Sequence, residues 1–566
     1  MAKVLGVNAV FHDPAAAVVV DGCIVAAAEE ERFSRRKHGK LAVPFSTWEL
    51  PEKSMAWCLR AAALAPADLD CVAYSYDPGL LGAPSSDITE EEWEPLRTLY
   101  ALRAPSFLAT ALPGLDPAKV VFVPHHVAHA ASAHLAAPFE DSSVLVLDGR
   151  GERASHLAGR ARGGELEVLA SQQLPHSLGL LYEEATVHLG FQRSSDEYKV
   201  MALASYGKPV HIGELRRSVR ATDDGGFVVE PTDFSTLVKP RRPGDEIRSE
   251  HADFAASLQL RLEEVLLDLA DWLHHSTGDE VLTMAGGVAL NCVANARLVE
   301  ESAFSHLWVQ PAAGDAGTAL GAALWAAHRS GDDVLPMTSA ALGRGWSDED
   351  LEAWLSAAGV AYERPADVAA EAASILASGS VIAWFEGRSE YGPRALGQRS
   401  LLADPRSRDM LQRLNDVKGR EQFRPVAPVV LAERARDIFD GTFPSPYMLL
   451  VHRVRPDWKE RIPAVVHVDG TARAQTVDRS TQPLLAHLLD RFDALTGVPV
   501  LVNTSFNTAG RPMVDDPSDA LEVFGSAPVA ALVMGPFLVR RPPTWLGSPS
   551  RERHGQAADM VRDRTR

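Results

Sequence analysis

The chain has 566 residues, 46 % of them hydrophobic and 23 % charged, with 56 basic against 75 acidic side chains and a net charge of −19. That length exceeds what one hydrophobic core supports, so two or more domains are expected. The acidic balance argues against a nucleic-acid partner held by the overall field.

Four scattered cysteines (Cys23, Cys58, Cys71 and Cys292) form no CxxC pair. They give neither a zinc ribbon nor a disulfide framework, and a cytoplasmic location is expected. No signal peptide and no apolar run long enough to span a bilayer are read, so no membrane partner is expected.

In chain order, KVLGVNAVFHDPAAAVVVDGCIVAAAEEE predicts a strand, a turn and a hairpin centred on Asp21-Gly22. SSVLVLDGRGE (142–152) repeats that plan, with a second hairpin at Gly163-Gly164. Two such units predict an internally duplicated α/β domain. Between them, DITEEEWEPLRTLYALRA reads as an insertion. Over 253–276, Phe254, Leu258, Leu260, Leu262, Val265, Leu266, Leu269 and Trp272 lie at helical spacing, a packing signal. VLTMAGGVALN reads as a strand into a double-glycine turn, and LWVQPAAGDAGTALGAALWAA as strand, turn and helix. LPMTSAALGRGW (335–346) reads as a linker, and Ser347 with Asp350 as a capping box. These readings give domains 1–345 and 346–541, with a mobile tail over 542–566.

Glycines at strand ends let backbone N–H groups approach phosphates. Asp148-Gly149-Arg150-Gly151, Ala285-Gly286-Gly287-Val288 and Gly314-Asp315-Ala316-Gly317 all qualify. Together, on a duplicated frame, they resemble the phosphate and adenosine segments of actin-like ATPases. VPHHVAHAASAH (123–134) adds four histidines. On a helix, His125 and His129 share a face at i, i+4, while His126 and His129 offer an i, i+3 alternative. A divalent metal needs further ligands, and Asp148 and Asp315 are the best-placed carboxylates. Capping and packing are the competing roles.

The second half carries a basic run. Between Arg388 and Arg424 stand eight arginines and one lysine against five acids. Arginine forks and lysine point charges suit phosphate oxygens. Arg394, Lys418 and Arg424, beside glycine or proline turns, are read as ligand-binding; Arg406, Arg408 and Arg413 as a solvated face.

These segments, with EEERFSRRKHG, SLGLLYEEAT, YKVMALASYG, GPRALGQRSLL, FRPVAP, DGTARAQTV and NTSFN, resemble the ATP-dependent O-carbamoyltransferases of antibiotic tailoring and nodulation-factor synthesis. The resemblance runs over nearly the whole chain. It implies an actin-like (ASKHA) N-terminal domain and a smaller α/β domain similar to a protein of tRNA threonylcarbamoyladenosine synthesis. Carbamoyl phosphate and ATP, with Mg2+, would form carbamoyl-AMP and pyrophosphate in the second domain. The carbamoyl group would then pass to a small-molecule hydroxyl acceptor in the first. The family's iron(II), or another divalent metal, would sit on His125, His129, Asp148 and Asp315. His12 would accept the acceptor's proton, with Lys37 nearby. Arg394, Lys418 and Arg424 would form the adenylate, and Arg473, Gln475, Ser505 and Asn507 would neighbour them. Gly149, Gly151, Lys199, Gly286 and Gly287 would line the nucleotide. The family's usual glycine is Ala202 here, which would narrow that site slightly. The variable segments 75–115 and 185–196 would shape the acceptor site, and an oligomer is compatible with the sequence.

Three alternatives compete with this reading. Threonylcarbamoyl transfer to tRNA is disfavoured by the charge. Carbamoylation of a maturation protein would need an acylphosphatase domain and CxxC zinc fingers. A non-catalytic scaffold would have lost the pocket residues.

Overall fold

The computed structural model describes residues 2–41, 44–81 and 94–541. The expected tail, 542–566, and the first part of the expected insertion, 87–93, lie outside the described residues. Strands β1 (Lys3–Asn8), β2 (Ala15–Val20), β3 (Cys23–Glu29), β4 (Cys71–Tyr74) and β5 (Val120–Phe122) form one sheet in the order β3-β2-β1-β4-β5. The next strands are β6 (Asp141–Leu147), β7 (Ala154–Arg162) and β8 (Glu165–Gln173). A ribbon of β9 (Val219–Ala221) and β10 (Phe227–Val229) follows, then β11 (Val281–Ala285) and β12 (His306–Val309). The second large sheet runs β12-β11-β6-β7-β8. Read from its other edge it repeats the first, with a central strand flanked by an antiparallel meander on one side and parallel strands on the other. The duplication read from sequence is therefore found as matching topology. Both hairpins close on left-handed pairs, Asp21 and Gly22 (φ 52 and 75) and Gly163 and Gly164 (φ 52 and 84), as two-residue turns that match the strand twist require.

Each half contributes one helix after its last strand, His125–His134 after β5 and Ala316–Arg329 after β12. These equivalent helices pack against each other because one is built from small residues. A Cβ on Gly321 would lie 1.8 Å from the Ala128 carbonyl oxygen, so glycine alone permits that approach. The crossing brings the starts of both helices, and hence His125 and Asp315, to the same place. Behind the second sheet runs the long helix Ser249–Thr277, which buries Phe254, Leu258, Leu262, Val265, Leu266 and Leu269 as their spacing predicts. Leu260 and Trp272 are only partly buried; Leu260 lies two residues, about 200°, around the helix from Leu258.

Ser347 caps the helix Asp348–Ala357, its Oγ accepting from the Asp350 N–H at 3.1 Å. Beyond it are β13 (Ile382–Phe385), β14 (Arg399–Ala403), β15 (Ala427–Leu431), β16 (Phe439–Asp440), β17 (His452–Val454), β18 (Thr471–Ala472), β19 (Gln475–Val477), β20 (Val500–Ser505), β21 (Ala531–Met534) and β22 (Phe537–Arg540). Seven of these form a mixed sheet in the order β19-β15-β20-β14-β13-β21-β22, and β16-β17-β18 a small one. The core of this region draws on residues from Leu351 to Val539. The segment 335–346 is tied to both sides: the Ala27 N–H donates to the Leu342 carbonyl at 3.1 Å, and the Gly343 N–H to that of Ser389 at 2.9 Å. No helix among the described residues is long and apolar enough to cross a membrane.

Candidate active site

His125, His129, Asp148 and Asp315 converge, with one ligand atom from each within 4.8 Å of the others, and all four are buried. The helix crossing supplies His125, His129 and Asp315; the end of β6 supplies Asp148. His125 Nδ1 sits 3.3 Å from the Ser75 carbonyl, so it donates there and leaves Nε2 facing Asp148 at 3.3 Å and Asp315 at 3.6 Å. His129 Nε2 lies 3.7 Å from each carboxylate. At that distance His129 Nε2 and Asp315 Oδ1 close no hydrogen bond. Asp148 is aimed by the Gly287 N–H, which donates to its Oδ1 at 2.9 Å. Burial would drive the His125 ring neutral, but Asp148 and Asp315 outweigh it and hold its pKa well above the usual histidine range. Two carboxylates and two inward imidazole nitrogens, dry and short of partners, are a donor set for a divalent transition ion.

His126, the i, i+3 alternative, turns away from this cluster. Burial and the adjacent His125 push its pKa down to about 3. Its ring fills the space over Gly151, where a Cβ would come within 2.5 Å of Nδ1. His134 is structural: its Nδ1 donates to the Ala130 carbonyl at 2.7 Å. His12 stands beside the four, with Nε2 3.6 Å from Asp315 Oδ2 and Nδ1 3.0 Å from Asp13. Burial lowers its pKa, yet Asp315 and Asp13 push it up to about 10. A cation neutralising Asp315 and Asp148 removes much of that upward pressure. Lys37 lies on the same wall, paired with Glu31 at 3.2 Å.

The second cluster is cationic. Arg394, Arg420, Arg424 and Arg473 also line the cavity that His12 and Lys37 meet. Burial first, then the neighbouring Arg473, lowers the Arg394 pKa; burial and Arg424 do the same to Arg420. A guanidinium keeps its proton in a protein, so Arg394 and Arg420 concentrate positive charge that suits an anion. Lys418, buried behind Ser505 and Asn507, donates to Ser505 Oγ at 2.9 Å and Asn507 Oδ1 at 2.6 Å. Its burial, with Arg420 and Arg424 close by, holds its pKa well below the usual lysine range. The Arg424 guanidinium covers the Tyr198 ring at 4.6 Å.

Both clusters reach one cavity of about 520 Å3, the first through Asp148 and the second through its four arginines, a size that suits a nucleotide-sized ligand. His12, Lys37, Asp148, Gly149 and Gly287 meet it from the first domain, and Arg394, Arg424, Arg473, Ser505 and Asn507 from the second. Four residues expected at the nucleotide or beside the adenylate stand elsewhere, one of them Gly151, packed under the His126 ring. Lys199 bridges the domains, with Nζ 2.8 Å from Glu421 and 3.1 Å from Asp196. Gln475 is fully buried behind the wall, donating to the Leu396 carbonyl at 2.7 Å and accepting from Asn503 at 2.6 Å. Gly286 serves the turn: its φ is 92, and a Cβ there would meet the Leu147 carbonyl oxygen at 2.1 Å. Sequence reasoning passed over Arg420 and Tyr198, although Arg420 belongs to the same basic run. It also passed over Asp13, His38 and Ser195, where adjacency to His12 and Lys37 was the available signal for the first two.

A duplicated α/β unit thus shares with a second α/β region a cavity lined by charged groups of both signs. The chain belongs to the carbamoyltransferase family. The model of the carbamoyltransferase N-terminus matches residues 3–82 and 106–324, and that of the C-terminus matches residues 373–541. Over 555 residues it is 39 % identical to the nodulation protein NolNO of Sinorhizobium fredii, covering 94 % of this chain and 80 % of that one. It is 37 % identical over 605 residues to an uncharacterized protein of Synechocystis, covering 96 % and 97 %. Against solved structures, the crystal structure of HypF from T. kodakarensis matches at 15 % identity and a TM-score of 0.33, over 59 % of this chain and 50 % of that one.

Proposed function

We propose that this carbamoyltransferase makes carbamoyl-AMP in its second domain and delivers the carbamoyl group to a hydroxyl of a small-molecule natural product in its first. One observation carries the reading: the His/Asp cluster, through Asp148, and the arginine cluster reach the same cavity. Water releases carbamate and phosphate from carbamoyl phosphate. A carbamate oxygen attacks the α-phosphorus of ATP, brought in with Mg2+, and pyrophosphate leaves. Arg394, Arg420, Arg424 and Arg473 stabilise the charge that builds on the α-phosphate, and Lys418 adds a proton donor held by Ser505 and Asn507. Adenylation gives carbamate, a poor electrophile, a good leaving group.

In the first domain His12 Nε2 takes the acceptor's proton, while Gly149 and Gly287 leave room for the nucleotide. A divalent ion such as iron(II), held by His125, His129, Asp148 and Asp315, would supply Lewis acidity toward phosphate and carbamoyl oxygens. The acceptor enters beside the 185–196 segment.

The test is incubation of the metal-loaded protein with ATP and carbamoyl phosphate, following AMP across a panel of sugar and polyketide alcohols. AMP release matched by a carbamoylated alcohol is expected. Pyrophosphate without carbamoyl-AMP, or no nucleotide turnover, overturns the reading.

A further inference from the structure

Strand β20 runs along the cationic end of the cavity. Side chains two apart on a strand share a face, so Asn503 stands on the same side as Ser505, and both line the cavity. Ser505 meets Lys418 there. Asn503 lies deeper, 1 % exposed.

Its amide is held one way round. Nδ2 donates one hydrogen to Gln475 Oε1 at 2.6 Å and the other to the Ala395 carbonyl at 3.3 Å. Turning the amide over would set its oxygen against those two acceptors. Gln475 cannot turn to relieve that clash, because its own Nε2 donates to the Leu396 carbonyl at 2.7 Å. Both hydrogens of Asn503 are therefore spent, and its Oδ1 is left as a buried acceptor with no hydrogen-bond partner among the described residues. An unpaired carbonyl is costly to bury, and in a binding site it marks the place of a ligand's donor.

The charged groups at this end are of the opposite kind. Lys418, Arg394, Arg420, Arg424 and Arg473 are donors only, and they suit phosphate and carbamate oxygens, which offer no hydrogen in return. ATP keeps its hydrogens on the nucleoside, away from the phosphates on which these cations act. Carbamate carries its N–H groups on the same carbon as the oxygen that attacks the α-phosphorus. His467, also on the cavity wall, keeps a ring nitrogen unpartnered. An imidazole nitrogen accepts or donates with its tautomer, however, whereas an amide carbonyl only accepts.

We propose that Asn503 selects the carbamoyl group, its Oδ1 accepting a hydrogen bond from the carbamoyl amino group while the arginines hold the phosphate. The inference rests on the functional reading above. An acetyl group has the same shape with a methyl in place of the amine, so it would leave Oδ1 unpaired. A site built to bond a substrate N–H rejects the analogue that lacks it for this reason. Gln475, behind the cavity wall, is then a positioning residue that acts through Asn503.

The metal-loaded full chain is given ATP with either fresh carbamoyl phosphate or acetyl phosphate, and pyrophosphate release is followed. Wild type should strongly prefer carbamoyl phosphate. Asn503→Leu, of similar size but without the acceptor, should lose roughly 10- to 100-fold in kcat/KM for carbamoyl phosphate. Its turnover of acetyl phosphate and its ATP affinity by calorimetry should stay unchanged, so the selectivity collapses in a protein that still binds nucleotide. Gln475→Leu should erode the same ratio by less. Asn503→Ala repeats the measurement where leucine disturbs packing. Equal losses with both acyl phosphates overturn the proposal. So does weaker ATP binding with the selectivity retained, which assigns Oδ1 to the nucleoside. If wild type makes no adenylate from carbamoyl phosphate, the functional reading fails, and equilibrium binding of the two acyl phosphates decides Asn503 separately. A preference for carbamoyl phosphate that disappears in Asn503→Leu retains the assignment, and equal affinities in wild type overturn it.

Discussion

The two ends of the cavity are built on opposite electrostatic plans. At the first-domain end, two histidines and two carboxylates lie buried within reach of one another. At the second-domain end, four guanidiniums and a lysine crowd together with few acids among them, and burial with neighbouring cations lowers the pKa of Arg394, Arg420 and Lys418. One end offers donors that suit a cation and the other donors that suit an anion. Separate reagents should therefore satisfy each, and separate lesions should break each.

The largest break expected is a division of labour. Lys418→Ala should slow carbamoyl-AMP formation by roughly 100- to 1,000-fold while leaving transfer from supplied carbamoyl-AMP intact. His129→Ala should do the reverse. Following pyrophosphate and AMP separately in the two variants measures this; loss of the same step in both would falsify the assignment of one reaction to each end.

Metal is the next lever. A divalent ion at 100 times its dissociation constant should stabilise the folded protein by about 2.7 kcal/mol, read as a rise in melting temperature that chelator reverses. His129→Ala should show no such rise, and Arg394→Ala should keep it.

At the cationic end, Arg420→Ala should weaken ATP binding roughly 10-fold, the loss of one charge-assisted donor. Calorimetry reads it, and metal affinity should not change.

Lys418 predicts a proton signature. Its folded pKa lies below its unfolded value, so between the two the folded protein binds fewer protons than the unfolded chain, and this group's contribution to stability rises with pH across that window. A bound phosphate favours the charged form, so nucleotide binding should take up a proton there. Titration in buffers of different ionisation heat measures the uptake, and Lys418→Met should abolish it.

The smallest effect belongs to the junction. Lys199→Ala removes a partly exposed bridge to Glu421 and should cost at most about 1 kcal/mol in urea unfolding. A loss of ATP affinity in that variant would return Lys199 to the nucleotide.

The amino-acid sequence by itself determined the plan of the fold and most of the chemistry at each end. Hairpin glycines and strand patterns are local, so the duplicated unit, the capping box at Ser347 and the long helix could all be read directly. His125 and His129 could be paired because helical spacing is itself local. Their carboxylates are not: Asp315 reaches them only because glycines such as Gly321 let two helices cross, 190 residues apart in the chain. The tertiary structure alone decided which way side chains turned where two requirements competed. It sent His126 against Gly151 and away from Asp148 and Asp315, Lys199 to Glu421 and away from the cavity, and Gln475 behind the cavity wall. It also set Gln475 against Asn503, on strands that β15 separates. No pattern along the chain encodes that meeting, because strand order is a property of the whole packed sheet.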